Sequence, residues 1–375
     1  MRRSLAAVAL LLGCGPTAHD PAAAPTAVPP AATLTPEPVA PAPPAPPRPT
    51  AAPAETPKPP AALPTALARG TDSASDEALA AGDAAYDADD LARALTAYER
   101  AARLAPGDPA PLAGVARATL ANYDLAFGAA ENDKKLLRLL ARLDRAKALD
   151  ASYAPVERER GKLLCLLGRA DPAVSALDRA VELAPNDLEA VTMLGVVLMS
   201  VGRSDSALRH LSHATRLAPN DPEPLTNLGT ALLLLGRLGE AANTFERVVA
   251  LAPDSGRAHS DLGTVFLTQG RIERAVAELR RATELEPKRA TFRSNYAHAL
   301  ELAGQLVQAI EQAKQAVVLD PKLGAAWINL GTSLAKHADY AEAETAFKRA
   351  AALDATDPRP KANLEELEQL RRAKP

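Results

Sequence analysis

Aromatic side chains are scarce: one tryptophan, six tyrosines and five phenylalanines make up 3% of 375 residues. With alanine and leucine abundant instead, that shortage argues against a β-sandwich or barrel and for closely approaching helices. An excess of one charge is missing too. Lys+Arg number 43 against 46 Asp+Glu, so there is no global basic footprint for nucleic acid. Cysteine occurs twice, at Cys14 and Cys165, with no CxxC pair. P-loop, GxGxxG, GxSxG and HExxH patterns are absent, which removes the common signatures of nucleotide, hydrolase and zinc-protease chemistry. The expectation is therefore a protein that is not an enzyme, with no cofactor, no metal and no small-molecule substrate.

Proline is plentiful but unevenly placed, with 18 of 33 between Cys14 and Gly70. The chain thus divides into a head (1–13), a tract (14–70) and a body. Met1-Arg2-Arg3 supplies positive charge, and Ser4 to Leu12 is mostly apolar. That run is about half of the roughly 20 residues needed to cross a bilayer, and its layout is that of a secretory signal. Leu11-Leu12-Gly13-Cys14 resembles the lipobox of bacterial lipoproteins. The resemblance implies a lipid on the Cys14 thiol, cleavage on its amino side and a mature chain beginning there. Gly15, rather than Asp, follows the cysteine, which in that family is compatible with transfer to the outer membrane. The implied location is the bacterial cell envelope, on the outer membrane facing the periplasm, and Cys165 is left without an internal disulfide partner. The Pro/Ala-rich tract lacks backbone donors and large apolar residues, so it reads as a disordered, partly polyproline II tether. At about 3.1 Å per residue, such a tether spans upwards of roughly 100 Å when stretched.

The body repeats every 34 residues. Leu194-Gly195, Leu228-Gly229, Leu262-Gly263 and Leu330-Gly331 share one register, with Tyr296-Ala297 filling the gap. Ala207, Ala241, Ala275, Ala309 and Ala343 form a second column, and Pro185, Pro219, Pro253, Pro287 and Pro321 close the units. Each unit reads as a helix, a short break and a second helix. Gly168, Gly202, Gly236, Gly270 and Gly304 fall in the break, where a left-handed cap ends a helix. One such pair cannot bury its apolar face alone, so neighbours must stack into a solenoid.

Trp327, Leu330-Gly331, Tyr340, Ala343, Phe347 and Ala350 carry the resemblance to the tetratricopeptide repeat. It implies an all-α fold, a right-handed superhelical solenoid. Eight helix-turn-helix units are expected over 71–357: 75–108, 109–153, 154–187, 188–221, 222–255, 256–289, 290–323 and 324–357. The second holds about 11 extra residues around Asn122–Lys134. Residues 358–375 read as a charged capping helix.

The first-helix stripe is the candidate site. Asn227, Asp261, Asn295, Asn329 and Asn363 recur at the repeat period, with Thr230, Thr264, His298 and Thr332 three residues after the first four and therefore on the same face. Thr226, Ser260 and Ser294 immediately precede the Asn/Asp column. In the family this face lines the concave groove, where an Asn ladder can grip peptide backbone because an amide both donates and accepts. The alternative is that these Asn contact the neighbouring unit. His210 and His213, three apart on one helix, read as a solvated face, and Cys165 reads as a small buried hydrophobe. The function expected is a protein-binding scaffold, anchored to the membrane by lipid, that holds a partner peptide in its groove and assists envelope or pilus/secretin assembly. A monomer is favoured over the alternative, a self-associating spacer between membrane and wall.

Overall fold

A computed structural model describes residues 66–123 and 128–373, and within them every regular element is a helix. Cys14 and the tract up to residue 65 lie outside the described residues. The helices come in pairs. Unit 1 is α1 (Ala74–Asp87) and α2 (Leu91–Leu104); unit 2 is α3 (Ala110–Leu120) and α4 (Lys134–Leu149). Unit 3 is α5 (Ala154–Leu166) and α6 (Ala170–Leu183); unit 4 is α7 (Leu188–Ser200) and α8 (Ser204–Leu217). Unit 5 is α9 (Pro222–Leu234) and α10 (Leu238–Leu251); unit 6 is α11 (Gly256–Thr268) and α12 (Ile272–Leu285). Unit 7 is α13 (Ala290–Leu302) and α14 (Leu306–Leu319), and unit 8 is α15 (Gly324–Lys336) and α16 (Tyr340–Leu353). The last helix, α17 (Arg359–Ala373), packs on unit 8 through Leu367 and leaves most of its other side chains exposed. This is the all-α solenoid that the 34-residue period predicts.

The two helices of a unit bury different patterns. Second helices carry one narrow stripe, as in Ala275, Leu279 and Ala282 of α12, and are wet on the other side. First helices are covered on more sides, so α7 buries Ala190 through Leu198 almost without interruption. A helix that is apolar all round belongs inside a stack.

Close approach within a unit depends on one column of small residues. A Cβ built on Gly331 falls 2.5 Å from the Phe347 ring, and one on Gly195 falls 2.7 Å from Leu211. Unit 7 solves the same contact differently. There Ala297 replaces the glycine and Ala313 replaces the large partner, both fully buried. The extra methyl on one helix is matched by a smaller side chain on the other.

Breaks between helices use the left-handed region: Gly168, Gly202, Gly236, Gly270 and Gly304 all have φ between 68° and 76°. Units 1 and 8 place Asp89 (φ 60°) and Ala338 (φ 70°) in the corresponding position, a conformation strained for a side chain bearing Cβ. In unit 2 the extra residues separate α3 from α4, and α3 packs more closely on α2 and α5 than on its own partner. The inserted loop returns to the stack: Gly128 and Ala130 donate their N–H groups to the carbonyls of Cys165 and Leu166 at the end of α5 (2.9 and 3.0 Å). Successive units are also joined at the closing proline. The Trp327 indole, the Arg293 Nε and the His259 Nε2 each bond the carbonyl of the proline six residues earlier, at 2.9–3.0 Å.

Candidate peptide-binding face

The stripe expected to face a ligand lies on α9, α11, α13 and α15, and it is sunken. Asn227, Thr230 and Ser260 are buried, Thr226, Asp261, Thr264, Asn295, Asn329 and Thr332 half-buried, and His298 exposed. Much of its donor capacity is spent within the solenoid. Thr226, Thr230 and Thr264 donate their hydroxyls to the carbonyls of Pro222, Thr226 and Ser260, one turn back on their own helices (2.8–2.9 Å). That back-bonding leaves the oxygen free to accept but not to donate again. Asn329 donates its amide to both the carbonyl and the hydroxyl of Ser294 in the preceding unit (3.0 Å each). Asn295 repeats the contact more loosely on Ser260, at 3.5 Å. Asn227 and Thr192 stand in the same two columns, but there the Asn227 Nδ2 and the Thr192 Oγ1 are buried without a hydrogen-bond partner. The Asn ladder is therefore an inter-unit clasp in units 6 to 8, with the Oδ1 side of each amide left over.

Two acids in this stretch differ sharply. Burial pushes the Asp261 carboxyl up to about 6, only partly countered by Arg257 at 3.6 Å. Glu301, beside His298 and Lys336, is held below the ordinary carboxylate range by its bonds to those two, with burial opposing.

The columns continue toward the start of the chain with different chemistry. Stepping back by 34 from Asn227 and Thr230 reaches Met193 and Val196, then Glu159 and Lys162. Across the longer unit 2 the second column reaches Arg117, then Asp83. The charged members, with Arg158, Asp187 and Glu189, form buried ion pairs. Arg158 meets Glu159 (2.9 Å), Asp187 (2.8 Å) and Glu189 (3.2 Å), and Lys162 meets Glu159 (3.0 Å) and Glu189 (2.5 Å). Arg117 bonds Asp83 (2.5 Å) and the Tyr98 hydroxyl, with its guanidinium over the Tyr86 ring. Burial alone would lower Arg158 and Lys162, but their carboxylate partners raise both above the ordinary range. Burial likewise pushes Glu189 up, and Lys162 with Arg158 outweighs it, holding that carboxyl at about 2. The readable signal is "ERERGK" (157–162), four charges in a row on a first helix whose counterparts are mostly apolar or hydroxylic. Charged helix faces usually meet water, so in the sequence this run looks like surface.

Of the remaining residues singled out, Cys165 is buried, with its thiol pushed up to about 11 by that burial. His210 and His213 are half-buried rather than solvated, and burial holds both below the ordinary value. No group of three or more His, Cys, Asp or Glu side chains suited to a metal ion occurs among the described residues.

No curated protein matches the sequence. Among solved structures, the APC/C hetero-tetramer Cut9-Hcn1 aligns at 16% identity over 80% of this chain, with a TM-score of 0.56. The aligned part is 57% of that chain, and the likeness is one of fold. YrrB, described as a TPR protein with an unusual peptide-binding site, aligns over 51% of this chain and 99% of its own, at 21% identity and TM-score 0.41. MamA 41-end from Desulfovibrio magneticus RS-1 aligns over 45% of this chain and 96% of its own, at 27% identity and TM-score 0.41. A family model, Tetratricopeptide repeat, matches residues 158–222, 192–256, 226–285, 260–324 and 308–358. Those spans overlap into one run of more than half the sequence, and with the paired helices and the glycine column they make this chain a member of the tetratricopeptide repeat family.

Proposed function

We propose that the chain is a non-catalytic scaffold that holds an extended segment of a partner protein against the first helices of units 5 to 8. Proteins of this family mediate protein–protein interaction, and the reading here rests on one observation. With Asn295 and Asn329 clasped to the preceding unit through their Nδ2 atoms, the outward capacity of the face is mostly acceptor. The amide oxygens, the back-bonded Thr hydroxyls and the Asp261 carboxylate suit the N–H groups of an extended peptide. Asn329→Asp and Asn329→Ala separate clasp from grip, because Asp keeps an outward oxygen and loses the clasp. If peptides selected from a random displayed library against the wild-type chain bind Asn329→Ala as well as wild type, the face does not grip them.

The same proposal places the scaffold on the bacterial envelope, anchored by lipid at Cys14 and offset by the Pro/Ala-rich tract, where it assists assembly of envelope or pilus/secretin machinery. Its support is the lipobox resemblance of residues 11–14. Metabolic labelling with a radioactive fatty acid tests it: Cys14→Ser should abolish the label, and an unlabelled wild-type chain would remove the anchor. The self-associating spacer draws on a different feature, the exposed Val307 and Val318 of α14. Sedimentation over a range of concentrations decides it, and a constant monomer mass rules the spacer out.

A further inference from the structure

The tether is expected to run through Gly70, yet its last residues are seated. Residues 66–71 lie against α1 and run antiparallel to it, and their backbone donors are taken by two carboxylates. Leu67 and Ala68 donate their N–H groups to Asp83 Oδ2 at 2.7 and 2.9 Å. Arg69 and Thr71 donate theirs to the two oxygens of Asp76 at 2.7 and 2.6 Å. Asp76 and Asp83 are seven residues, about two helical turns, apart on α1, so both face the segment. Each is at least nine-tenths buried.

Side chains add selectivity to these backbone bonds. Leu67 is 3% exposed and belongs to the apolar core that runs from unit 1 into unit 5. Arg69 reaches out of its segment to the turn between units 1 and 2, where its guanidinium grips Asp108 with two bonds of 2.9 Å. It also sits 5.7 Å from the ring of Tyr153, at the start of unit 3. Gly70 adopts φ +73°, a turn open to glycine with no penalty. The pieces that hold the segment therefore come from units 1, 2 and 3. They read an extended backbone, a leucine, and an arginine two residues later.

We propose that this face of unit 1 is a peptide-recognition site for an extended Leu-x-Arg-Gly segment, filled in cis by Leu67–Gly70 and open to a partner protein's segment of the same chemistry. Asp83 occupies the column of Thr230, Thr264 and Thr332, so the site continues the face assigned above, but the proposal does not rest on that assignment. Its contacts are complete within units 1 to 3. Linkage in cis gives the chain's own segment a high effective concentration, so a free competitor enters only when the cis segment is weakened.

The test uses the full chain and a fluorescent peptide spanning residues 64–72 (PTALARGTD). Wild type should leave the peptide unbound, because its site is occupied. The double substitution Leu67→Ala/Arg69→Ala should open the site, and fluorescence anisotropy should then report saturable binding. Adding Asp108→Asn, which removes the arginine's partner outside α1, should weaken that binding roughly tenfold or more. A peptide with Arg69 replaced by Ala should lose a similar factor. Helical circular dichroism on every variant confirms that the solenoid persists. As an independent readout, amides 67, 68, 69 and 71 of wild type should be protected from hydrogen exchange, and Asp108→Ala should reduce that protection while α1 stays protected. Equal binding to wild type and to the opened variant, no binding to the opened variant, or unprotected amides 67–71 would each overturn the proposal.

Discussion

The clearest quantitative consequence of the ionic cluster is acid sensitivity at the joint between units 3 and 4. Glu189 lies in the first turn of α7, while Arg158 and Lys162 lie on α5, so the bonds cross from one unit to the next. Burial raises the Glu189 pKa and the two cations more than reverse this, from an ordinary 4.5 to about 2. A depressed carboxyl contributes stability that is fully present above its unfolded value and is lost as pH falls through the folded one. The window here runs from about pH 4.5 down to about pH 2. At 1.36 kcal/mol per pKa unit the contribution at neutral pH is on the order of 3 kcal/mol. Glu189→Gln keeps the shape and removes the charge, so it should lose this amount at pH 7. The gap to wild type should then close as both approach pH 2. Solenoids open locally rather than as one block, so the assay is hydrogen exchange resolved to α5 and α7 at pH 7, 5 and 3, with temperature and exchange chemistry matched. A gap that stays constant from pH 7 to 3, or no gap at pH 7, would refute the assignment of Glu189 as the titrating link.

Three further outcomes follow from packing and backbone. Gly331→Ala should destabilise unit 8, since overpacking costs about 1–3 kcal/mol against a helix-propensity gain of about 0.5–1; in a Phe347→Ala background the penalty should vanish, which a double-mutant cycle in urea measures. Ala338→Gly should raise the melting temperature, because relief of a left-handed alanine is worth roughly 1–2 kcal/mol before the unfolded-state entropy of glycine is subtracted; an unchanged or lower melting temperature would show that the turn is not strained. Trp327→Phe removes the indole N–H from the Pro321 carbonyl and should cost about 1 kcal/mol beyond the change in buried area; faster exchange confined to the start of α15 would identify that bond as the loss.

How much of this was legible depends on the range of the physics. The glycine column could be read because close helix approach leaves no room for a Cβ, and the requirement returns every 34 residues. The left-handed glycines were readable for the same local reason. The insertion showed itself as a lapse of register, though not that its loop returns to cap α5 through Gly128 and Ala130. The Glu159–Lys162 cluster was not legible. Four adjacent charges look like a wet surface, and their burial depends on Asp187 and Glu189 some 27 to 29 residues away. The Asn column was visible, but its use was not, because whether an amide faces a ligand or Ser294 is decided by the stacking of two units. Leu67 and Arg69 were hidden in a tract whose composition has no period, and their partners Asp83 and Asp108 lie in the repeat body.

The two ends of the first-helix face use one kind of chemistry. At unit 1 the carboxylates of Asp76 and Asp83 accept four backbone N–H groups. At units 6 to 8 the side chains left over after inter-unit clasping are again acceptors: Asp261, and the oxygens of Asn295 and Asn329. A face of acceptors selects for backbone that carries donors, and proline carries none. The seated run begins only after Pro64, and from there to Pro106 the sequence has no proline at all. The tract before it has a proline every few residues and so offers carbonyls to a surface that needs N–H groups. On that ground a segment of the tract's composition is a poor ligand for a face of acceptors. The seated residues, Leu67 to Thr71, are held at units 1 to 3 by the carboxylates of Asp76, Asp83 and Asp108. A partner segment read by this face should accordingly be extended and free of proline where it crosses the Asp and Asn rungs.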